Sequence, residues 1–297
     1  MDGIMKILVT GANKGIGLGI VKYLMEFFPN TFVYLGCRDE EKGWEAVNSL
    51  VSEVDDWAER LCHLVIDVSN PESVKLAALQ IKKHCAENDS LLSGIVNNAG
   101  IARSVDGVAP IIEVNTFGPK RVFDEFLPLL DPGKGRLINV TSASGPNYLS
   151  RCEERIRSTL TNPNVNWEEI DNVVDDYVAG YKNAKNVEKA RFYEDAYGFS
   201  KACTNALTVF LAKSHPNLII NSCTPGFIET DLTKPFATEQ GKTPQEMGMK
   251  TPSEGATSSI YLLMEETVGS GFYYGSDCVR SPLDRYRSPG DPPYEGD

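Results

Sequence analysis

A tyrosine and a lysine four residues apart on a helix share one face. A phenol titrates at about 10 in water and needs a nearby cation to exchange protons closer to neutrality. The chain carries this spacing twice, at Tyr181/Lys185 and Tyr197/Lys201, and spacing alone cannot choose between them. A second candidate is the turn Thr10-Gly11-Ala12-Asn13-Lys14-Gly15-Ile16-Gly17. Between a strand and a helix, its glycines would let the backbone pass close to a pyrophosphate held at the helix N-terminus. Three residues separate Gly11 from Gly15, so this is not the G-x-G-x-x-G fingerprint, and the turn can also be read as a tight connection. A third candidate is Gly36-Cys37-Arg38-Asp39, at the end of a second strand. There an acidic residue would take a ribose 2′-hydroxyl and an arginine would accommodate a 2′-phosphate. Arg38 is the first charged residue after the strand and Lys14 faces the same corner, so two cations suggest NADP rather than NAD. The alternative is that Arg38 caps the next helix or pairs with Asp39.

These residues need a scaffold, and the first 140 residues alternate strand-like and helix-like segments. Strands are expected at Lys6 to Thr10, Thr31 to Cys37, Leu61 to Asp67, up to Ile95-Val96-Asn97, and at Arg136 to Thr141. Helical spacing of Ile16, Ile20, Val21, Leu24 and Phe28 follows the first strand, and helices are expected at Asp39 to Val54 and Glu72 to His84. Such alternation implies right-handed crossovers and a parallel sheet covered on both faces. The polar stretch Pro146 to Lys189 breaks the rhythm with helix candidates at Arg151 to Leu160 and Trp167 to Tyr181. A segment this long is functional or an added subdomain rather than a plain connection. Alternation resumes with a helix from Asp195 to Ala212 and a strand from Leu218 to Cys223. Thr251-Pro252-Ser253-Glu254 is a capping box opening a helix to Met264, and Gly271 to Tyr274 can be a last strand. The tail holds Pro282, Pro289, Pro292 and Pro293, and no regular element is expected in it.

In this order the motifs resemble the short-chain dehydrogenase/reductase family, most closely its carbonyl reductases. The glycine turn looks like that family's T-G-x-x-x-G-x-G, including the Asn13-Lys14 typical of carbonyl reductases. Asp67-Val68 matches the adenine-contacting aspartate, Asn97-Asn98-Ala99-Gly100 the N-N-A-G motif, and Val114-Asn115-Thr116 the helix-borne asparagine. Ile138-Asn139-Val140-Thr141-Ser142 ends in the catalytic serine, without the serine pair the family more often shows. Tyr197-Gly198-Phe199-Ser200-Lys201 matches Y-x-x-S-K, and Pro225-Gly226 with Thr230-Asp231 matches P-G-x-x-x-T-D. The resemblance runs from about Lys6 to Gly275. Motif order selects Tyr197 and leaves Tyr181 as a solvated helix pair within the insertion. One departure is Thr224 before the proline, where animal carbonyl reductases often have cysteine; Cys223 lies one earlier, so thiol chemistry at that position is not carried over.

The resemblance implies an α/β fold: one Rossmann-type, doubly wound parallel sheet of about seven strands over residues 1–297, with a helical insertion at 146–189 before the tyrosine and a proline-rich tail at 281–297. It implies NADPH-dependent reduction of aldehydes, ketones or quinones. Ser142 would hydrogen-bond the carbonyl oxygen and Tyr197 would protonate it as general acid. Lys201 would lower the tyrosine pKa and hold the nicotinamide ribose. Asn115 would position a water beside Lys201, although a mid-helix asparagine also fits an ordinary kink. Cofactor contacts are expected from Gly11, Asn13, Lys14, Gly15, Ile16, Gly17, Arg38, Asp67, Val68, Asn97, Ala99, Gly100, Tyr197, Lys201, Pro225, Gly226 and Thr230. The substrate is expected to touch Ser142, Tyr197, the insertion and the segment Phe227 to Glu239, with Phe227 either stacking on it or simply packing its own loop. The readings left open are a dedicated alcohol dehydrogenase for one metabolite and a non-catalytic NADP-binding regulator; intact Ser142, Tyr197 and Lys201 argue against the latter.

Composition bounds the rest. With 41% hydrophobic and 24% charged residues the chain reads as globular. A formal charge of −12 disfavours nucleic acid as a partner. No apolar run is long enough to span a bilayer, and Met1 to Met5 lacks the pattern of a signal peptide. Seven scattered cysteines without C-x-x-C spacing disfavour a metal site or disulfide framework and fit a reducing, cytoplasmic setting. His63, in an apolar run, reads as a satisfied core residue. In the insertion, Ile156 and Leu160, and Ile170, Val173, Val174 and Val178, form apolar stripes that need cover. Covering the face through which relatives dimerise would leave a monomer; the alternative is a lid over the substrate.

Overall fold

The computed structural model describes residues 4–87 and 90–296; the expectation for the N-terminal stretch falls partly on Met1 to Gly3, outside them. In chain order the elements are β1 (Met5–Thr10), α1 (Gly15–Phe27), β2 (Thr31–Cys37), α2 (Glu40–Glu53), β3 (Leu61–Val65), α3 (Pro71–Glu87) and β4 (Leu92–Asn97). Next come α4 (Ala109–Ile112), which runs through a π turn (Glu113–Phe117) into α5 (Gly118–Phe126), then β5 (Arg136–Val140), α6 (Ser144–Leu149), α7 (Glu154–Leu160), α8 (Trp167–Asn183) and α9 (Asn186–Ser214). The last elements are β6 (Ile219–Cys223), α10 (Lys234–Glu239), α11 (Pro252–Gly255), α12 (Thr257–Met264), β7 (Tyr273–Tyr274) and β8 (Arg280–Ser281).

The strands form one sheet in the order β3-β2-β1-β4-β5-β6-β7-β8. All pairings are parallel except β7 with β8. Period-two alternation splits the core. Ile7, Val9, Val33 and Leu35 point to the face covered by α1, α2 and α12, while Leu8, Tyr34, Ile95 and Leu137 point to the face covered by α3, α5 and α9. The chain reverses its winding between β1 and β4, and there the carboxyl ends of the strands open into a crevice.

Four local readings differ from the sequence expectation. The sheet has an eighth strand, because the tail turns back at Gly275–Val279 and pairs Tyr273 with Ser281. Helix α9 begins at Asn186 instead of Asp195, so the end of the insertion continues directly into the helix carrying Tyr197. Tyr181 and Lys185 do not share a helix face: α8 ends at Asn183 and Lys185 is the N-cap of α9. Tyr181 is half-buried, with Lys189 rather than Lys185 over its ring at 4.9 Å. His63 is 5% exposed in the core, yet its Nε2 has no hydrogen-bond partner. The Thr251–Glu254 capping box is present, with Pro252 at the first helical position.

The insertion packs as core. Ile170, Val173, Val174 and Tyr177 of α8 are buried against Ala196, Phe199 and Leu207 of α9. Tyr177 stacks on Phe199 with centroids 3.8 Å apart and planes 6° apart. At its other end α8 reaches α5: Trp167 meets Phe117 edge-on at 5.7 Å, and Lys120 lies 5.2 Å from the indole.

Candidate active site

The glycine turn is held against the loop after β4 by a dense set of bonds. The Asn98 side chain donates to Thr10 O at 2.9 Å and Gly11 O at 3.1 Å, while Thr10 Oγ1 accepts from the backbone N–H of Asn98 and of Ala99, both at 3.1 Å. Gly11 has φ +62°, and a Cβ there would stand 2.8 Å from the Ala99 Cα, so only glycine lets the two loops approach. Gly15, also at positive φ, opens α1. The resulting cleft of about 610 Å³ is lined by Gly11, Asn13, Lys14, Gly15, Ile16, Arg38, Asp67, Val68, Ala99, Gly100 and Thr230, as expected, together with Asn98 and Cys37.

Six expected cofactor residues do not line it: Gly17, Asn97, Tyr197, Lys201, Pro225 and Gly226. Asn97 is 3% exposed, and its side chain donates to Asn139 Oδ1 at 2.9 Å beneath the cleft. Alternation along β4 places it on the same face as Ile95; Asn98 is the asparagine that borders the cleft. Gly17 packs under the turn, where a Cβ would lie 2.6 Å from Gly11 O. Arg38 is exposed at the rim and does not cap α2; Asp39 does, accepting from the Lys42 N–H at 3.1 Å and pairing with the Lys42 ammonium. Lys14 ion-pairs with Asp231 at 2.6 Å across the cleft mouth.

Ser142, just after β5, comes together with Tyr197 and Lys201 of α9: Tyr197 hydrogen-bonds Ser142, and Lys201 Nζ faces Gly100 of the cleft wall. Ser142 Oγ accepts from Ser144 N at 3.1 Å and bonds Ser144 Oγ at 3.2 Å, so a second serine is present two residues along. Lys201 is 4% exposed; its Nζ donates to Val140 O at 2.9 Å and stands 5.7 Å from the Tyr197 ring centroid. Burial pushes the Lys201 ammonium down to about 8. Burial also raises the Tyr197 phenol above its ordinary value, only partly offset by its hydrogen bond with Ser142. The net shift is upward, the reverse of the expected lowering by Lys201, because desolvation outweighs the stabilisation of the phenolate.

Asn115 lies in the π turn of Glu113–Phe117, fully buried. Its Oδ1 accepts from Ile101 N and its Nδ2 donates to Ile101 O and Ser200 Oγ, each at 2.9 Å. A Cβ on Gly100 would lie 3.2 Å from Asn115 Oδ1 and 3.4 Å from Lys201 Nζ, so both groups face one small space. A π turn that presents one side chain in this way is a frequent device at functional sites.

A second cavity of about 280 Å³ opens at Ser142. Its walls include Ala143, Ser144, Pro146, Asn147, Thr224, Gly226 at φ +90° and Phe227, which is 40% exposed. Tyr286, Arg287 and Pro289 from the proline-rich tail complete it. Nothing in the tail's composition signalled this. No residue of α7 or α8 lines either cavity, whereas Pro146 and Asn147, at the start of the insertion, line the one at Ser142.

A crossover sheet, a glycine turn at its switch point and a Ser–Tyr–Lys group at the end of the crevice define an oxidoreductase of the dinucleotide-binding kind. The chain belongs to the short-chain dehydrogenase/reductase family, and its relatives place it with the carbonyl-reductase type. The short chain dehydrogenase model matches residues 5–152. Carbonyl reductase (NADPH) 1 of Mus musculus is 32% identical over 86% of this chain and 90% of its own. The (+)-neomenthol dehydrogenase of Arabidopsis thaliana is 32% identical over 90% and 94%. Among solved structures, salutaridine reductase of Papaver somniferum superposes with a TM-score of 0.75 at 28% identity, covering 91% of this chain and 99% of that one.

Proposed function

We propose that the protein reduces carbonyl compounds to alcohols with NADPH. The observation that carries this reading is the grouping of Ser142, which borders the smaller cavity and hydrogen-bonds Tyr197, with Lys201 beside the Tyr197 ring. The cleft suits a dinucleotide: a glycine turn and an Asn98-Ala99-Gly100 loop lining it together, a helix N-terminus at Gly15, and an exposed arginine where a 2′-phosphate would lie. When bound, NADPH supplies the hydride. The protein's part is to manage the charge that develops on the carbonyl oxygen. Ser142 donates a hydrogen bond to that oxygen, and Tyr197, hydrogen-bonded to Ser142, delivers the proton. Lys201 presents its charge to the ribose side of the site. The exposed Arg38 supports NADPH over NADH, with Lys14 divided between a phosphate and Asp231.

The packing of α8 onto α9 and towards α5 supports a monomer, since it covers the helix faces through which two copies would otherwise meet. The scattered, odd-numbered cysteines support a reducing, cytoplasmic location. No helix among the described residues is long and apolar enough to cross a membrane. An NADPH-absorbance assay over a panel of aldehydes, ketones and quinones tests the reading. Turnover of several compounds supports it, a single sharp hit replaces it by a dedicated dehydrogenase, and no turnover removes it in favour of a binding protein.

A further inference from the structure

The tail after β8 has no regular structure, yet it is anchored in detail. The turn between β7 and β8 is closed by the Gly275 N–H donating to Val279 O at 2.8 Å, and the hairpin aims the following chain back over the ends of β5 and β6. The Arg287 guanidinium, 6% exposed, donates to Asp277, to Ser281 Oγ at 2.9 Å, to Ser288 O at 3.1 Å and to Asp291 O at 2.7 Å. Asp277 also accepts from the Gly290 N–H at 3.0 Å, and Ser288 N donates to Asp291 Oδ2 at 3.0 Å. Further on, Arg280 lies 3.8 Å from the Phe272 centroid and 5.7 Å from that of Tyr294, whose N–H donates to Arg280 O. A guanidinium with its donors used in this way is a fastener and not a free cation for a ligand.

What the fastener holds in place is the residue before it. Tyr286 is 48% exposed and borders the cavity that contains Ser142, as does the 40% exposed ring of Phe227. The same cavity carries the Ser144, Thr224 and Ser276 hydroxyls and the Asn147 amide. At about 280 Å³ it is at the small end for ligand sites. We propose that the tail is a built wall of the substrate cavity. Tyr286 is its specificity-determining residue, Asp277 and Arg287 are positioning residues, and the substrates so selected are compact aromatic carbonyl compounds bearing a hydroxyl. Such a compound would pack its ring against Tyr286 and Phe227 and find partners for its hydroxyl among the polar groups. This deepens the reductase reading and rests on it for the reaction, though not for the binding.

The test is therefore a binding measurement. Calorimetry on the protein loaded with NADP⁺ compares 4-hydroxybenzaldehyde with the three-ring 9-anthraldehyde. The unsubstituted protein should prefer the small compound. Tyr286→Ala should weaken 4-hydroxybenzaldehyde about fivefold by loss of the ring contact and tighten 9-anthraldehyde by opening the wall. Asp277→Asn, outside the cavity lining, should narrow the same preference while a thermal melt shows the fold intact, a change in selectivity that general destabilisation does not produce. A preference unchanged within twofold in both variants overturns the proposal, as does absence of binding of either aldehyde to the unsubstituted protein. Binding with the expected preference but without NADPH-driven turnover would sustain the wall and defeat the reductase reading instead.

Discussion

At the scale of single residues, two tyrosines with the same spacing to a lysine have different fates. Tyr197→Phe removes the transferable proton and should lower turnover by about 10²-fold or more. Tyr181→Phe, remote from Ser142, should leave turnover unchanged; steady-state assays of both variants check this, and a reversed pattern would relocate the active site. Lys201 has a pH signature of its own. Its ammonium is pushed down to about 8 by burial, so the folded site loses the positive charge as pH rises through that value, and reduction should decline on the alkaline side. Stability moves the other way. Above pH 8 the unfolded chain retains a proton that the folded chain releases, so this group's contribution becomes more favourable with pH. Urea denaturation should show the unsubstituted protein gaining about 1.5 kcal/mol relative to Lys201→Met between pH 8 and 9.5. An unchanged difference would mean that Lys201 titrates normally. Arg38→Ala should reduce the preference for NADPH over NADH by about tenfold, the scale of one charge-assisted hydrogen bond, measured as two dissociation constants. Lys14→Ala should do less, because Lys14 is already paired with Asp231.

Among the elements, the insertion is the one whose role changes most between sequence and structure. Its two apolar stripes are expected to cover helix faces within the chain, with a lid over the substrate as the alternative. Ile170 is fully buried in α8, within the same cluster as Phe199 and Leu207 of α9. Ile170→Ala should therefore cost about 2–4 kcal/mol in denaturant titrations, the range for emptying a close-packed site. A lid that opens in solution would lose far less. The helix carrying Tyr197 and Lys201 starts nine residues before its expected N-terminus, at Asn186 instead of Asp195; Asn186 to Arg191 are exposed, and Phe192 packs edge-on against Tyr177 of α8 at 5.1 Å. Propensity within a polar stretch did not announce this continuation. The π turn at Asn115 was equally hidden: its sequence reads as continuous helix, and only the bonds to Ile101 and Ser200 show the extra residue being used.

For the whole molecule, the same packing sets the expected assembly. With α8 over α9 and Trp167 against Phe117 near α5, a second copy is expected to find these helix faces already covered. Light scattering at micromolar concentration should give a mass near 32.7 kDa. A stable species of twice that mass would show that the chain dimerises through another surface.

Short, nearly continuous apolar strands alternating with helices were enough to establish the crossover sheet, since such strands are buried only when both faces are covered. The glycine turn, Ser142, Tyr197 and Lys201 were legible because each needs a particular residue type at a position tied to the end of a strand or the face of a helix. Folding decided what depends on contacts between distant segments. It put Asn98 rather than Asn97 at the cleft, paired Lys14 with Asp231, and raised the Tyr197 phenol through burial rather than lowering it through Lys201. It also folded a proline-rich tail back to complete the cavity at Ser142. Local sequence sets backbone preference and side-chain direction, whereas desolvation and enclosure arise only when elements far apart in the chain exclude water together.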